Sequence, residues 1–193
     1  EAVSAGGEHV LTRLRDGLGR DGGWTLAAAN DLLAAVSYRY DDTGLFDGLS
    51  WSNTWDATGV NVDYTRDDGL LTGRAVQNGG GPLLLTTWDH ELRGLVTAVE
   101  NTVDAGSEAN TISRYDYVND ALGRRTAIGR SGLAHAEMPV HDAYGYNSRS
   151  EVTSARRYLG TDPGDTQTPV RGFAFDYGFD LIGNRISTST YSP

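Results

Sequence analysis

Tyr115-Asp116-Tyr117-Val118-Asn119-Asp120-Ala121-Leu122-Gly123-Arg124-Arg125-Thr126-Ala127 reads as a strand, a four-residue turn and a second strand. Tyr115 and Tyr117 alternate with period two, so both rings fall on one face of an extended segment. Asp120 opens the turn, because a short carboxylate can accept hydrogen bonds from N–H groups further along it. Gly123 closes it at the position where a positive φ is needed and a Cβ would clash. A type I turn ending in such a glycine joins antiparallel strands. The unit is a hairpin, and the chain repeats it.

The same device recurs as Asp16-Gly17-Leu18-Gly19, Asp41-Asp42-Thr43-Gly44 and Asp180-Leu181-Ile182-Gly183. Tyr38 and Tyr40 precede Asp41, and Phe173, Phe175, Tyr177 and Phe179 precede Asp180. Three worn copies complete the series. Tyr64 to Thr72 has a shortened turn at Asp67-Asp68-Gly69, and Trp88-Asp89 to Thr97 reads as a lengthened one. Tyr144 to Thr153 puts Asn147 and Ser150 where Asp and Gly stand elsewhere. Anchors at 16, 41, 67, 89, 120, 147 and 180 are 22 to 33 residues apart, the spacing of a repeat architecture.

Between the anchors lies a second set of expected turns. They are Asp56-Ala57-Thr58-Gly59, Asn78-Gly79-Gly80-Gly81-Pro82, Asp104-Ala105-Gly106-Ser107, Gly129-Arg130-Ser131-Gly132 and Asp162-Pro163-Gly164-Asp165. Regular turns separated by short aromatic and β-branched runs predict an all-β chain of repeated antiparallel hairpins, about seven repeats across residues 1–193. The alanine- and leucine-rich segment from Thr25 to Val36 has helical propensity. The repeat register instead requires two strands there, with Asn30-Asp31 at the turn. Because Glu1 is not an initiator Met and both ends cut into repeats, the chain reads as a piece of a longer one.

Net charge is −10, and all sixteen basic residues are arginine. An acidic chain without basic clusters is a poor nucleic-acid binder. No run approaches the ~18 apolar residues of a membrane span, and there is no polybasic face for a membrane surface. Without cysteine there is neither a disulfide framework nor a thiolate metal site.

Several side-chain groups could carry chemistry. Asp41-Asp42 and Asp67-Asp68 are acid pairs, but they lie at repeat turns and lack the spacing that wraps a calcium ion. His135 and His141 flank Met138-Pro139 without the third ligand a metal needs. Ser131 fails the spacing of a nucleophile elbow. The glycine run at 78–82 lacks the Lys-Ser/Thr of a phosphate loop. No catalytic residue, metal or cofactor is expected, and the chain reads as non-enzymatic. Trp24, Trp51, Trp55 and Trp88 have two readings: a stacking surface for sugars, with Trp51 and Trp55 as candidate glycan contacts, or a cross-strand packing ladder. Arg20, Arg124 and Arg185, after the turn glycines, are expected to pair with acids of adjacent repeats.

Tyr115–Arg124 (Tyr-x-Tyr-x-x-Asp-Ala-Leu-Gly-Arg), Phe175–Ile186 and Ser37–Gly44 resemble the YD repeats of RHS proteins, and the resemblance covers nearly the whole chain, most weakly from Asn53 to Glu100. It implies a long β-sheet strip that spirals into a hollow shell. Bacterial members are large secreted or cell-surface proteins, polymorphic toxins among them, and many enclose a C-terminal toxin domain; toxin-complex and teneurin shells are related. The implied partners are the remaining repeats of the parent chain and an enclosed C-terminal polypeptide, with a cell-surface glycan as the alternative. The family's self-cleaving region has no match among these residues, and no toxin domain is expected within them. The segment would be wall, with no catalytic residue carried over.

Overall fold

Strand follows strand because each hairpin turn is built from its own sequence. The computed structural model describes residues 9–29, 31–55, 58–79, 81–103 and 110–190. The described residues form fourteen strands, no α-helix and one short 3-10 turn at Leu133–His135, with strand order following chain order. The fold class is all-β, as the turn pattern predicts.

The described residues divide into two compact units, one up to Thr86 with Val103, the other from Thr87 to Thr102 and from Asn110 onward. The first holds β1 (His9–Arg15), β2 (Asp21–Ala28), β3 (Asp31–Tyr40), β4 (Phe46–Asn53), β5 (Val60–Asp67) and β6 (Leu70–Asn78). β7 (Gly81–His90) contributes to both. The second holds β8 (Val96–Val103), β9 (Asn110–Asn119), β10 (Arg125–Ser131), β11 (Val140–Tyr146), β12 (Val152–Leu159), β13 (Pro169–Phe179) and β14 (Arg185–Thr190). Neighbours from β1 through β6, and from β9 through β14, pair antiparallel.

The turns show why Asp or Asn is required. Asp120 Oδ1 accepts from the Leu122 and Arg124 N–H groups at 2.9 Å each, while Gly123 N–H donates to the Asp120 carbonyl at 3.0 Å. Asp16, Asp41 and Asp180 repeat the double acceptance. Asn147 reproduces it with its amide oxygen, and Ser150 takes the glycine's place at φ 64°. These bonds favour the charged anchors. The carboxyl groups of Asp16, Asp41, Asp120 and Asp180 are held below their ordinary value, led respectively by the Arg20 side chain, the Thr43 hydroxyl, the Arg124 backbone N–H and the Asn184 side chain.

Three turns differ from the sequence reading. The fourth anchor is Glu91 rather than Asp89: Gly94 N–H donates to Glu91 O at 2.8 Å and Glu91 N–H to Leu95 O at 3.0 Å, so the turn has the standard length. The acid there lies one methylene too far from its own backbone to be recognised as an Asp-type turn. Gly129, Arg130 and Ser131 are strand, not turn; the chain leaves β10 only at Gly132, with φ 93°. In the run at 78–82, Asn78 ends β6 and Gly81 opens β7, so the break is shorter than the glycines suggest. The shortened turn at 67–69 is a two-residue loop with Asp68 and Gly69 both at positive φ, and Asp67 pairs with Leu70. Asp162–Asp165 is a turn. Thr25 to Val36 is strand on both sides of its turn, with Asp31 opening β3. Asn30, Asp56-Ala57, Gly80 and Asp104-Ala105-Gly106-Ser107 lie outside the described residues.

The buried apolar side chains are mostly small: Ala34, Val36, Ala98, Ala127 and Ala174, with Val140 and Tyr158. In the first unit one face carries a row of partners, Trp24–Val36–Trp51–Val60, and beside it Tyr38–Leu49–Val62–Val76. Phe46 meets Tyr38 and Tyr40 edge-on at 6.0 Å each and Tyr64 at 5.6 Å, the cross-strand aromatic packing that stabilises a sheet. The other face is polar, with Ser37–Ser50–Asn61–Gln77 in one row.

Candidate functional site

Two hairpin tips are tied to the following hairpin by a clasp of Tyr, Asp and Arg, one in each unit. In the first unit Arg20 bonds Asp16 through Nε at 2.6 Å, and its guanidinium lies 4.1 Å from the centre of the Tyr40 ring in the following hairpin. Tyr40, immediately before anchor Asp41, returns its hydroxyl to Asp21 O at 2.8 Å. In the second unit Arg124 bonds Asp120 at 2.7 Å and covers the Tyr146 ring at 4.7 Å. Tyr146, immediately before anchor Asn147, donates to Arg125 O at 2.7 Å. Asn119, in the same position before Asp120, donates to Val96 O at 3.3 Å. In all three cases the accepting carbonyl stands five residues after the preceding anchor.

A second mode serves tips without an Asp anchor. Arg93 and Arg149 sit two residues after Glu91 and Asn147 and pair with Glu91 and Glu151. Arg93 then donates to Asp120 O and Ala121 O at 3.1 and 2.9 Å, and Arg149 to Asp180 O and Leu181 O at 2.6 and 2.7 Å. Arg124 likewise reaches Asn147 O at 3.1 Å. This corrects the expected pairing: Arg20 and Arg124 pair with the anchor of their own turn and reach the neighbouring repeat through a ring or a carbonyl. Arg185 stacks on Tyr177 of its own hairpin at 5.6 Å.

A different cluster lies on the aromatic face of β11 and β12. Asp142, 7% exposed, is shared by two guanidinium groups. Arg157 donates to it through Nε at 2.7 Å and Nη2 at 3.2 Å, and Arg130 pairs through Nη2 at 2.6 Å. Burial opposes ionisation of Asp142, but the hydrogen bonds from Arg157 and Arg130 outweigh it and hold the carboxyl below its ordinary value. Burial and the nearby Asp142 charge push the Tyr144 hydroxyl up. Arg157 also lies 4.5 Å from the Phe173 ring centre. Two clefts flank it: one of ≈ 180 Å³ bounded by Asp142, Tyr144 and Phe175, and one of ≈ 400 Å³ bounded by Arg130, His135, Glu137 and Met138. The sequence reading passed over this cluster, because its three members are more than ten residues apart and only the strand register joins them.

The sequence-nominated residues do not converge. Trp24, Trp51 and Trp88 are half-buried strand residues, whereas Trp55, just beyond β4, is 76% exposed. His141 is fully buried, stacked on Tyr158 at 5.3 Å with Nδ1 3.1 Å from Gly160 O; His135 lies edge-on to Tyr115 at 5.6 Å. Among the described residues no group of His, Asp and Glu has the arrangement of a metal site. Asp41 is the half-buried anchor of its turn, Asp42 and Asp68 are exposed turn residues, and Ser131 ends β10.

No family model and no curated protein matches the chain. Solved structures are similar to it, among them the crystal structure of TcdB2-TccC3, 13% identical with a TM-score of 0.48, matched over 91% of this chain and 10% of that one. The chain thus spans about a tenth of the length of that solved chain. At this level of similarity the reading of function rests on the chain's own residues.

Proposed function

We propose that this chain is a stretch of wall in an RHS-type, YD-repeat shell: a structural, non-enzymatic segment that helps to enclose a C-terminal, toxic polypeptide of a secreted or cell-surface protein. The observation that carries this reading is the tip clasp. The Tyr and Asp that define the sequence repeat, with an Arg, are the side chains that join one hairpin to the next, at Asp16–Arg20–Tyr40 and again at Asp120–Arg124–Tyr146. A motif spent on repeat-to-repeat cohesion suits a wall, because a repeat array is stable only through its neighbour interfaces. The thin, small-residue core of each unit agrees with a sheet that covers area rather than one that encloses a catalytic cleft.

A second reading rests on Trp55, whose exposure leaves its ring open for stacking on a sugar. In that reading the segment is a surface module for glycans. Trp55→Ala separates the two: loss of binding on a glycan array with an unchanged melting curve favours the module, and an unchanged array favours the wall. The wall reading is tested by limited proteolysis of the full-length parent protein, followed by mass spectrometry.

A further inference from the structure

We propose that the ≈ 400 Å³ cleft beside β10 and β11 binds a carboxylate, supplied by an acidic side chain of a polypeptide. Arg130 and Arg157 share one carboxylate, Asp142, so the cluster retains one net positive charge in a chain of net charge −10. The other acid at this cleft, Glu137, is exposed at the rim, and no ion pair joins it to either guanidinium among the described residues. A partly buried cation without a matching anion is costly, and an incoming carboxylate relieves that cost.

Hydrogen bonding at the cleft points to the same ligand. Arg130 Nη1 and His135 Nε2 are both buried and have no hydrogen-bond partner among the described residues. Buried polar atoms are nearly always satisfied, so two unsatisfied nitrogens on one cleft call for an acceptor. A carboxylate offers two acceptor oxygens, and engaging these nitrogens requires His135 in the tautomer that carries its proton on Nε2 and a small turn of both side chains toward the cleft, since neither atom is exposed. The remaining lining suits the stem of a Glu side chain: Ala134, Met138 and Val140 are apolar. His135 is held by its edge contact with Tyr115, which orients the ring without using Nε2.

This site goes beyond the wall reading and does not depend on it, since the same pocket would serve a folded module that binds an acidic peptide. The test uses the 193-residue chain with N-acetyl-glutamate N-methylamide as probe, followed by the NMR signals of the His135 ring. A saturable shift is expected, with the glutamine analogue binding about tenfold more weakly, the size of one charge-assisted hydrogen bond. His135→Phe, which keeps an aromatic ring against Tyr115, should weaken binding by a similar factor, and Glu137→Gln should strengthen it. Both positions lie outside the Asp142 cluster, so circular dichroism should show both variants folded. Equal binding of the glutamate and glutamine probes, or binding unchanged by His135→Phe, would overturn the proposal. So would saturation by sodium sulfate with no response to the glutamate probe, which would mark an inorganic oxyanion site.

Discussion

The anchor acids show how much one short side chain can settle. Asp16, Asp41, Asp120 and Asp180 each accept two backbone N–H groups, and this is why the turn could be read from the sequence at all. The tyrosine before the anchor was visible as well, but its partner was not: only register places Tyr146 over Arg124 and under Arg125 O. Tyr146→Phe keeps the ring and loses the hydrogen bond, so it should cost about 1 kcal/mol, read as a lower denaturant midpoint. Asp142→Asn leaves two guanidinium groups without their shared anion and should cost about 3 kcal/mol in the same measurement. Acid should act through the same groups. Their folded-state pKa values lie below the unfolded ones, so their stabilisation is present above the unfolded carboxyl range and is lost as pH falls through the folded values. Melting temperature should therefore drop below about pH 4, and Asp142→Asn should flatten part of that drop.

At the scale of elements, strands were legible wherever a strong turn bounded them. Thr25 to Val36 became two strands despite its alanines, because hairpin pairing outweighs propensity. The reading failed where composition imitated a turn. Gly129 is paired within β10, and the Thr161 carbonyl passes so close that a Cβ there would meet its oxygen at 3.1 Å. Gly48 in β4 has a similar task, since Arg39 crosses above it to pair with Asp63 and to bond Ser50 Oγ at 2.9 Å. A Cβ on residue 48 would run into the Arg39 guanidinium and the Val62 carbonyl. Gly48→Ala should therefore destabilise the first unit by about 1–3 kcal/mol, and hydrogen exchange should locate the loss on β3 to β5.

For the molecule as a whole, the repeat pattern and the fold class were open to sequence reasoning, while the charge cluster and its clefts were not. Period-two alternation sorts residues onto faces, but it does not say which arginine of a neighbouring strand lies beside which aspartate. Sheet edges carry a consequence of their own. All six residues of β14 are exposed, and among the described residues that strand pairs only with β13. A strand with one free edge recruits another. The isolated chain should therefore show concentration-dependent association in light scattering, which Ser187→Pro on that edge should reduce.

Whether these hairpins wall in a polypeptide is decided by limited proteolysis of the full-length parent, with mass spectrometry of the fragments. A walled-in segment downstream of Pro193 survives protease while the shell is folded and is cut once mild denaturant opens it. Cleavage of that segment in the native protein as fast as in a free peptide rules the wall out.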